Sequence, residues 1–385
     1  MKRKICIITG TRAEYGLLRP LVDRVNNDEE LQLQLIVTGM HLSPEFGLTY
    51  KEIENDGYKI DEKIEVLLSS DTSTGISKSM GLAMISFSDV FDRLKPDMVV
   101  LLGDRYEIFA AASAAMVTSV PIAHLYGGET GSGTIDNMLR HAITKFSLLH
   151  FTSTEFYRKR VIQLGENPNN VHNVGSLGVE NIKNLKLMTK DDLEKDINFR
   201  IDNNTILFTF HPLSLEPHLA QNQFREILTA LSKIENLKVI FTKCNSDTGG
   251  RIINEMIDKY VAENRNNTIS FYSLGTLRYL STIKYVKAVV GNSSSGIIEV
   301  PSLGTYTLNI GKRQDGRIQS ESIYNCEPNE KDVYEKLSMI IELPRLSKMN
   351  NPYEKNETST NIISILKENL LANKFEEKKF YDIDF

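Results

Sequence analysis

Short apolar runs recur along the chain, and a polar or glycine-rich turn follows almost every one of them. In the first half these runs cover residues 4–8, 31–37, 98–102, 120–125 and 148–152. A continuously apolar run is typical of a strand in a parallel sheet, because helices cover both faces of such a sheet. The segments between the runs are predicted to be helices, so this half reads as alternating strands and helices.

The same alternation restarts after residues 175–178, a Gly-Ser-Leu-Gly stretch that we take as a hinge. The runs of the second half cover residues 205–210, 237–242, 269–272, 288–290 and 306–310. The pattern predicts an α/β protein with two doubly wound, Rossmann-like domains that face a central cleft. We place these domains at residues 1–176 and 177–359, with the C-terminal helical segment 360–385 packing back on the first domain.

Polar clusters directly follow the predicted strands in both halves. Their members are Thr11 with Arg12, His41, Asp104 with Arg105, Gly127 to Glu129, His211, and Asn292 to Ser294. In an open parallel sheet, ligands bind at the carboxyl ends of the strands. Two facing sheets would therefore direct all these groups into one cleft.

The most informative stretch spans residues 289–301, where an apolar strand meets the small-residue turn from Gly291 to Gly296 and then an expected helix. N–H groups at a helix N-terminus attract anions, and small residues let a phosphate approach the backbone. Ser293 and Ser294 would add hydroxyl donors. Glu299, one to two turns into the helix, could accept bonds from two ribose hydroxyls. The alternative is a serine-capped helix with a solvated glutamate.

Three further groups suit a diphosphate. Arg12 lies in a Gly-Thr-Arg turn between strand and helix and could grip phosphate oxygens bidentately; alternatively it pairs with Glu14 or a neighbouring loop. His211 ends a strand, and we expect the proline that follows to expose its ring; alternatively it is a core histidine with its hydrogen bonds satisfied. Arg313, in the basic loop 311–317, is a third candidate, whereas Lys312 and Arg317 fit a solvated loop equally well.

Carboxylates at the strand ends are candidates for acid–base chemistry. Asp104 and Arg105 end one strand, where opposite charges are often only structural. Asp136 falls in the first turn of a predicted helix, so it is either a catalytic group or a helix cap. Glu129 is less constrained by its context.

Composition removes several classes of function. With 385 residues and a net charge of −5, the chain lacks the basic surface expected of a nucleic-acid-binding protein. Its three cysteines are widely separated, which argues against a zinc site and for a reducing, cytoplasmic location. No apolar run is long enough to span a membrane, and the N-terminus reads as a first strand. Neither a dinucleotide fingerprint nor a P-loop is present.

Taken together, the motifs resemble those of the UDP-N-acetylglucosamine 2-epimerase family, in particular its hydrolysing branch of sialic-acid-type biosynthesis. They occur in family order over nearly the whole chain: GTRAEYG (10–16), TGMHLSPEFG (38–47), GDRYE (103–107), GGE (127–129) with TIDNMLRHAITK (134–145), FHP (210–212), NSDTG (245–249), GNSSSGIIEVP (291–301) and GKRQDGR (311–317).

The resemblance implies a glycosyltransferase-B-like fold that binds a UDP-sugar between its domains and needs no metal or nicotinamide cofactor. It implies diphosphate contacts from Arg12, His211, Ser293, Ser294 and Arg313, and a ribose contact from Glu299. Asp104, Asp136 and Glu129, with His211, form the implied catalytic set, and the sugar is expected near His41, Arg105 and Asn245. We expect a homodimer or homotetramer.

The chain departs from the family pattern at two places. Many members carry a glutamate where this chain has Tyr126, and an acidic residue where it has Asn137. The identity of the acid–base group therefore stays open, with Glu129 or a water held by Asp104 as alternatives.

The resemblance implies conversion of UDP-N-acetylglucosamine to N-acetylmannosamine and UDP, through elimination to a 2-acetamidoglucal and then hydration. The alternatives are the same reaction on UDP-N,N′-diacetylbacillosamine (a legionaminic acid route), a glycosyltransferase of the same fold, and a regulatory module that only binds the nucleotide sugar.

Overall fold

A computed structural model describes residues 2–68, 70, 72–213, 215–244, 249–347, 349–371 and 377–383. The chain forms two compact units. The first comprises Met1–Glu129, Asp136–Asn181 and Lys355–Phe385, and the second comprises Thr130–Ile135 and Ile182–Glu354. The main boundary between the units falls after Asn181, five residues beyond the boundary placed from the sequence. The six-residue segment Thr130–Ile135 packs with the second unit.

Within the described residues, the first unit contains a seven-stranded parallel sheet with the order β3-β2-β1-β4-β5-β6-β7. Its strands are β1 (Arg3–Thr9), β2 (Leu31–Thr38), β3 (Glu62–Ile64), β4 (Met98–Leu102), β5 (Ile122–Leu125), β6 (Leu149–Thr152) and β7 (Val171–Asn173). The helices of this unit are α1 (Arg12–Asn27), α2 (Tyr50–Asn55), α3 (Ser73–Leu94), α4 (Tyr106–Val117), α5 (Asp136–Phe146), α6 (Glu155–Gln163), α7 (Leu177–Asn184, whose last turn enters the second unit) and α14 (Thr358–Leu371).

The described part of the second unit contains a six-stranded parallel sheet with the order β10-β9-β8-β11-β12-β13. Its strands are β8 (Thr205–Thr209), β9 (Lys238–Thr242), β10 (Thr268–Phe271), β11 (Ala288–Gly291), β12 (Tyr306–Ile310) and β13 (Ile323–Cys326). Its helices are α8 (Lys190–Ile197), α9 (Pro217–Ser232), α10 (Gly250–Glu263), α11 (Gly275–Tyr285), α12 (Ser295–Ile298) and α13 (Glu330–Glu342).

Continuous burial explains why the central strands could be read from the sequence. Every residue of β4 is buried, because helices cover both faces of the sheet. Strand order reverses beside β1 in the first sheet and beside β8 in the second, which makes both units doubly wound. The prediction of two doubly wound α/β domains is thus confirmed.

The C-terminal helix α14 belongs to the first unit. Its buried side chains Ile362, Leu366 and Leu370 join the core that contains Leu18 and Val22 of α1. Lys367 forms ion pairs with the carboxylates of Asp28 and Glu30, close to the start of β2, which fixes the outer face of the helix.

Three details of the sequence prediction need correction. The edge strands β3, β7 and β13 were missed. The Ser-, Thr- and Asp-rich stretch 68–76 predicts a loop before a helix that starts near Ser77, whereas α3 begins at Ser73. The helix expected after Gly296 is only the single turn of α12, and Glu299 directly follows it instead of lying one to two turns inside.

Candidate active site

In the first unit, the turn between β1 and α1 is held by a capping box. The Thr11 hydroxyl accepts a hydrogen bond from the Glu14 N–H at 3.3 Å, and the Glu14 carboxylate accepts from the N–H groups of Gly10 and Thr11 at 2.8 and 3.1 Å. This turn places Arg12 at the carboxyl end of β1. The Arg12 guanidinium pairs with Glu52 at 2.6 Å and not with Glu14, so it is held by a neighbouring helix.

His41 lies fully buried after β2. One ring nitrogen is 3.1 Å from the Thr9 hydroxyl and the other is 2.8 Å from the Thr49 hydroxyl. Burial lowers the pKa of His41 to about 3, and the charge of Arg12 acts in the same direction, so the ring is neutral at physiological pH. The two threonines hold the His41 ring in this position. A contact between His41 and the sugar stays a prediction.

Asp104 follows β4, and Arg140 on α5 forms an ion pair with its carboxylate. Arg140 is 4% exposed and also donates a hydrogen bond to the Tyr126 carbonyl at 2.8 Å. Two guanidinium nitrogens thus join the loops that follow β4 and β5, and they fix the orientation of the Asp104 carboxylate. Tyr126 stands where the family pattern has a glutamate; its hydroxyl lies 3.1 Å from that of Ser176, inside the core.

Glu129 and Asp136 bracket the segment that packs with the second unit. Glu129 is 1% exposed and accepts a hydrogen bond from the Ser153 hydroxyl at 2.7 Å, so one carboxylate oxygen is engaged by the protein. Asp136 is the first residue of α5 and is half-buried. Arg140 lies one turn further along the same helix.

Arg105 lies beside Asp104, but its guanidinium points to Glu107. The Arg105 Nε donates to the Glu107 carboxylate at 2.6 Å, and Glu107 is fully buried in the first turn of α4. The side chain of Arg105 therefore supports the end of β4 and the start of α4, whatever further contact its outer nitrogens make.

In the second unit, the last residue of β11, which leads into the turn, must be glycine. A Cβ atom on Gly291 would lie 1.8 Å from the Thr209 carbonyl oxygen, and φ is +129°. The next residue, Asn292, is 2% exposed and binds the backbone of His211 reciprocally, since its side chain accepts from the His211 N–H and donates to the His211 carbonyl, both at 2.7 Å. His211 is itself only 7% exposed, so the expectation of an exposed ring is wrong.

Two side chains of the loop after β12 converge on the same turn. Arg313 donates to the Asn292 carbonyl at 3.2 Å, and Gln314 donates to the same oxygen at 2.7 Å. The segment Thr130–Ile135 packs here as well, because the Ser132 N–H donates to the Arg313 carbonyl at 3.2 Å. Arg317 donates to the Thr130 carbonyl at 3.0 Å, whereas Lys312 is exposed.

Ser293 and Ser294 follow Asn292 and are half-buried, and Glu299 is 8% exposed. Tyr279 on α11 places its hydroxyl beside those of Ser295 and Ser293. Burial raises the pKa of Tyr279 to about 12, and the negative charge of Glu299 acts the same way, so its hydroxyl keeps its proton. Hydroxyls, a guanidinium and a buried carboxylate therefore surround one turn, which is a chemistry suited to a phosphorylated ribose.

The sequence did not single out Arg140, Asn292, Gln314 or Tyr279 as site residues. Asn292 was visible, since it lies inside the polar cluster after β11. Arg140 and Gln314 lie inside the quoted motifs TIDNMLRHAITK and GKRQDGR but were given no role there, and Tyr279 lies outside every quoted motif. Asn245, expected near the sugar, lies outside the described residues.

Among the described residues, no three His, Cys, Asp or Glu side chains converge in a way that could hold a metal ion. No helix in that part of the chain is long and apolar enough to cross a membrane.

Comparison with known proteins places these groups in context. A family model described as UDP-N-acetylglucosamine 2-epimerase matches residues 23–367. The GDP/UDP-N,N′-diacetylbacillosamine 2-epimerase (hydrolyzing) of Campylobacter jejuni is 48% identical over 337 residues, which cover 87% of this chain and 88% of that protein. The polysialic acid biosynthesis protein P7 of Escherichia coli is 38% identical over 385 residues, covering 99% and 98% of the two chains.

A solved structure shows the same fold. The crystal structure of UDP-GlcNAc 2-epimerase from Neisseria meningitidis, bound to UDP-GlcNAc, matches with a TM-score of 0.78 at 19% identity, and the match covers 95% of this chain and 100% of that one.

Proposed function

The chain belongs to the UDP-N-acetylglucosamine 2-epimerase family, and from this premise we propose that it is a hydrolysing 2-epimerase of a UDP-bound 2-acetamido sugar. The products are the free 2-epimer and UDP. One observation carries the proposal: Asp104, a carboxylate at the carboxyl end of β4, is oriented by the guanidinium of Arg140. A carboxylate fixed in this way is suited to take a proton from carbon.

The reaction needs such a base because C2 of the sugar is not adjacent to a carbonyl group, and its hydrogen is only weakly acidic. Loss of the C2 proton becomes feasible if UDP leaves C1 at the same time. The electrons of the C2–H bond then form the C1–C2 double bond of a glycal, and the electrons of the C1–O bond leave with UDP. Water next adds its hydroxyl to C1, while a proton is delivered to the opposite face of C2.

We assign the first proton transfer to Asp104. The proton that returns to the other face comes from Asp136 or Glu129, which bracket the Gly-rich segment. Glu129 accepts a hydrogen bond from the Ser153 hydroxyl, which holds its carboxylate in a defined position. Asp136 starts α5 and thus has a defined backbone position.

Departure of UDP places additional negative charge on the diphosphate. Donors that are already oriented towards this charge lower the barrier without reorganising. Arg12 on the first unit, and His211, Ser293, Ser294 and Arg313 on the second, are the groups to which we assign this role. Glu299 is assigned to the ribose hydroxyls because a carboxylate would repel phosphate.

Two substrates fit the proposal. The 48% identity to a hydrolysing diacetylbacillosamine 2-epimerase favours a diacetamido, 6-deoxy sugar as the preferred substrate. UDP-N-acetylglucosamine is the second candidate, supported by the match to the family model and by the identity to the polysialic acid protein P7.

The test is incubation of the purified protein with either UDP-sugar, or with the GDP form of the diacetamido sugar, without an acceptor. We expect free 2-epimer and nucleoside diphosphate in equal amounts, detected by NMR. A glycosyltransferase would give no 2-epimer, because its turnover requires an acceptor. A binding module would retain the nucleotide sugar unchanged, and either result would contradict the proposal.

A further inference from the structure

Two buried carboxylic side chains flank the turn that carries Arg12. Glu14 is 6% exposed and binds the N–H groups of Gly10 and Thr11 with one carboxylate oxygen. Glu107 is 0% exposed and reaches the same turn from α4: a Cβ atom on Gly10 would lie 2.5 Å from its Oε1. Glycine at position 10 therefore lets the Glu107 side chain approach the turn this closely.

The two arginines near this pair of glutamates have different ion-pair partners. Arg105 donates to Glu107 at 2.6 Å, whereas Arg12 is paired with Glu52. The backbone N–H of His41 donates a hydrogen bond to the Gly10 carbonyl at 3.4 Å, and the imidazole ring of His41 is neutral. Within the described part of the chain, the second oxygens of both Glu14 and Glu107 have no hydrogen-bond partner. A buried carboxylate oxygen without a donor is costly when the group is ionised, and much less so when it carries a proton.

We propose that Glu14 retains a proton at neutral pH and that this neutral carboxylic acid is a positioning group for Arg12. In this form the carbonyl oxygen of Glu14 accepts the hydrogen bonds from the N–H groups of Gly10 and Thr11. Its other oxygen carries the proton, so no second negative charge lies next to Glu107. The proposal deepens the function assigned above, since it rests on Arg12 binding the diphosphate; Glu14 itself does not touch the substrate.

Electrostatics agree with the geometry. Burial raises the pKa of Glu14, and the negative charge of Glu107 raises it further, while Arg105 and the two backbone hydrogen bonds act in the opposite sense. Because the pKa is raised, the proton is present at neutral pH and is lost as the solution becomes alkaline. Two adjacent buried negative charges would then repel each other across Gly10, and the turn that carries Arg12 would shift.

The first test detects the proton directly. Infrared spectra of the wild-type protein at neutral pH should contain the carbonyl band of a protonated carboxylic acid, and Glu14→Gln should lose it. Asp192→Asn is the matched control, because Asp192 occupies the same position after a threonine N-cap on α8 but is exposed. Asp192→Asn should leave the band unchanged. An unchanged band in Glu14→Gln would overturn the proposal.

The second test measures UDP affinity by calorimetry from neutral to alkaline pH. Wild-type affinity should fall about tenfold or more as the carboxyl group ionises, since a charge-assisted phosphate contact is weakened. Glu14→Gln mimics the neutral acid, so it should match the wild-type affinity at neutral pH and remain constant in alkali. If Glu14→Gln does not fold, Glu107→Gln serves in its place. It removes the repulsion between the two carboxylates, so its UDP affinity should also remain constant in alkali.

An alkaline decline of UDP affinity that persists in both variants would contradict the proposal. Neither test requires turnover, so failure of this inference can be distinguished from failure of the proposed reaction. The latter would show as a wild-type protein that releases no 2-epimer from any of the nucleotide sugars.

Discussion

Single residues decide whether the site can move protons. Arg140 pairs with Asp104 across 36 residues of sequence and also binds the Tyr126 carbonyl, so one buried side chain orients the proposed base. Asp136, on the same helix, is the candidate for the returning proton. The roles proposed for these two carboxylates differ, and substitutions can test them one at a time.

Asp136→Asn should lower turnover about 10²- to 10⁴-fold, the usual contribution of a positioned acid or base. The amide keeps the shape and the helix-start position of the carboxylate, so we expect an unchanged melting temperature and unchanged UDP affinity. Initial rates of UDP release under saturating substrate provide the measurement. Near-native turnover would mean that Asp136 only caps the start of α5.

Ser294→Ala and Glu299→Ala should mainly weaken UDP binding. Loss of a hydrogen bond to a charged group costs roughly 1.5–3 kcal/mol, which corresponds to about 10- to 150-fold in the dissociation constant. Isothermal titration with UDP measures this directly, with Ser232→Ala, exposed on α9, as the control. Wild-type affinity in both variants would contradict the anion site assigned to residues 291–299.

At this scale the sequence predicted the groups that follow strands but not those that arrive through tertiary contacts. Asp104 and Ser293 could be found because a strand end positions them. Arg140 and Tyr279 lie within helices, where their spacing resembles that of ordinary core or surface residues. Their partners become visible only when the sheet brings separate loops together.

At the scale of elements, the turn after β11 depends on backbone geometry that only glycine tolerates. Gly291→Ala should lower the free energy of unfolding by at least about 2 kcal/mol, because the new methyl group meets the Thr209 carbonyl and the backbone is strained. Gly81→Ala on α3 is the matched control, since nothing lies within 4 Å of its added Cβ.

The control should gain about 0.5–1 kcal/mol, the usual difference between glycine and alanine within a helix. Chemical denaturation of both variants measures the change. Equal stability of Gly291→Ala and the wild-type protein would contradict the assigned turn geometry.

A second element with a measurable contribution is the C-terminal tail, residues 377–383. Lys378 pairs with Glu166 at 2.7 Å, and Lys145 and His150 contact the same carboxylate at 2.6 and 3.0 Å. Although burial alone would raise the pKa of Glu166, the hydrogen bond and charge of His150, with those of both lysines, lower it to about 2. The tail is thereby anchored close to the end of α5.

The lowered pKa of Glu166 determines how the stability of the protein changes with pH. The ionised Glu166 stabilises the folded state above the ordinary glutamate pKa of 4.5, and this contribution is lost as pH falls towards about 2. Glu166→Gln should therefore be less stable than wild type near neutrality, and the difference should shrink in acid. Glu155→Gln, a more exposed control on α6, should show a smaller difference. A gap in unfolding free energy that is independent of pH would contradict this account.

The elements that the sequence missed share a physical reason. Strands β3, β7 and β13 are three or four residues long, lie at sheet edges and contain polar residues such as Glu62, His172 and Asn325. An edge strand pairs on one side only and is partly open to solvent, so it needs no continuous apolar run. Central strands, by contrast, are buried on both faces and were found within one or two residues of their observed ends.

For the molecule as a whole, the order of motifs along the chain carried more information than any single motif. The two doubly wound units and the family followed from that order, whereas sugar selectivity did not, because one hydroxyl or amide contact can be supplied by many side chains. We propose that Asp104, Asp136 and Glu129 carry the chemistry; most of the groups proposed to bind the nucleotide belong to the second unit. The central claim is that these groups support elimination followed by hydration.

The fate of the C2 hydrogen tests this claim most directly. The reaction is run in D₂O enriched in H₂¹⁸O, stopped early, and analysed by mass spectrometry and NMR. Elimination and hydration predict a free 2-epimer with deuterium at C2 and ¹⁸O at C1, and UDP without ¹⁸O. A product that keeps its original hydrogen at C2, or UDP that carries ¹⁸O, would contradict the account and with it the roles of Asp104 and Asp136.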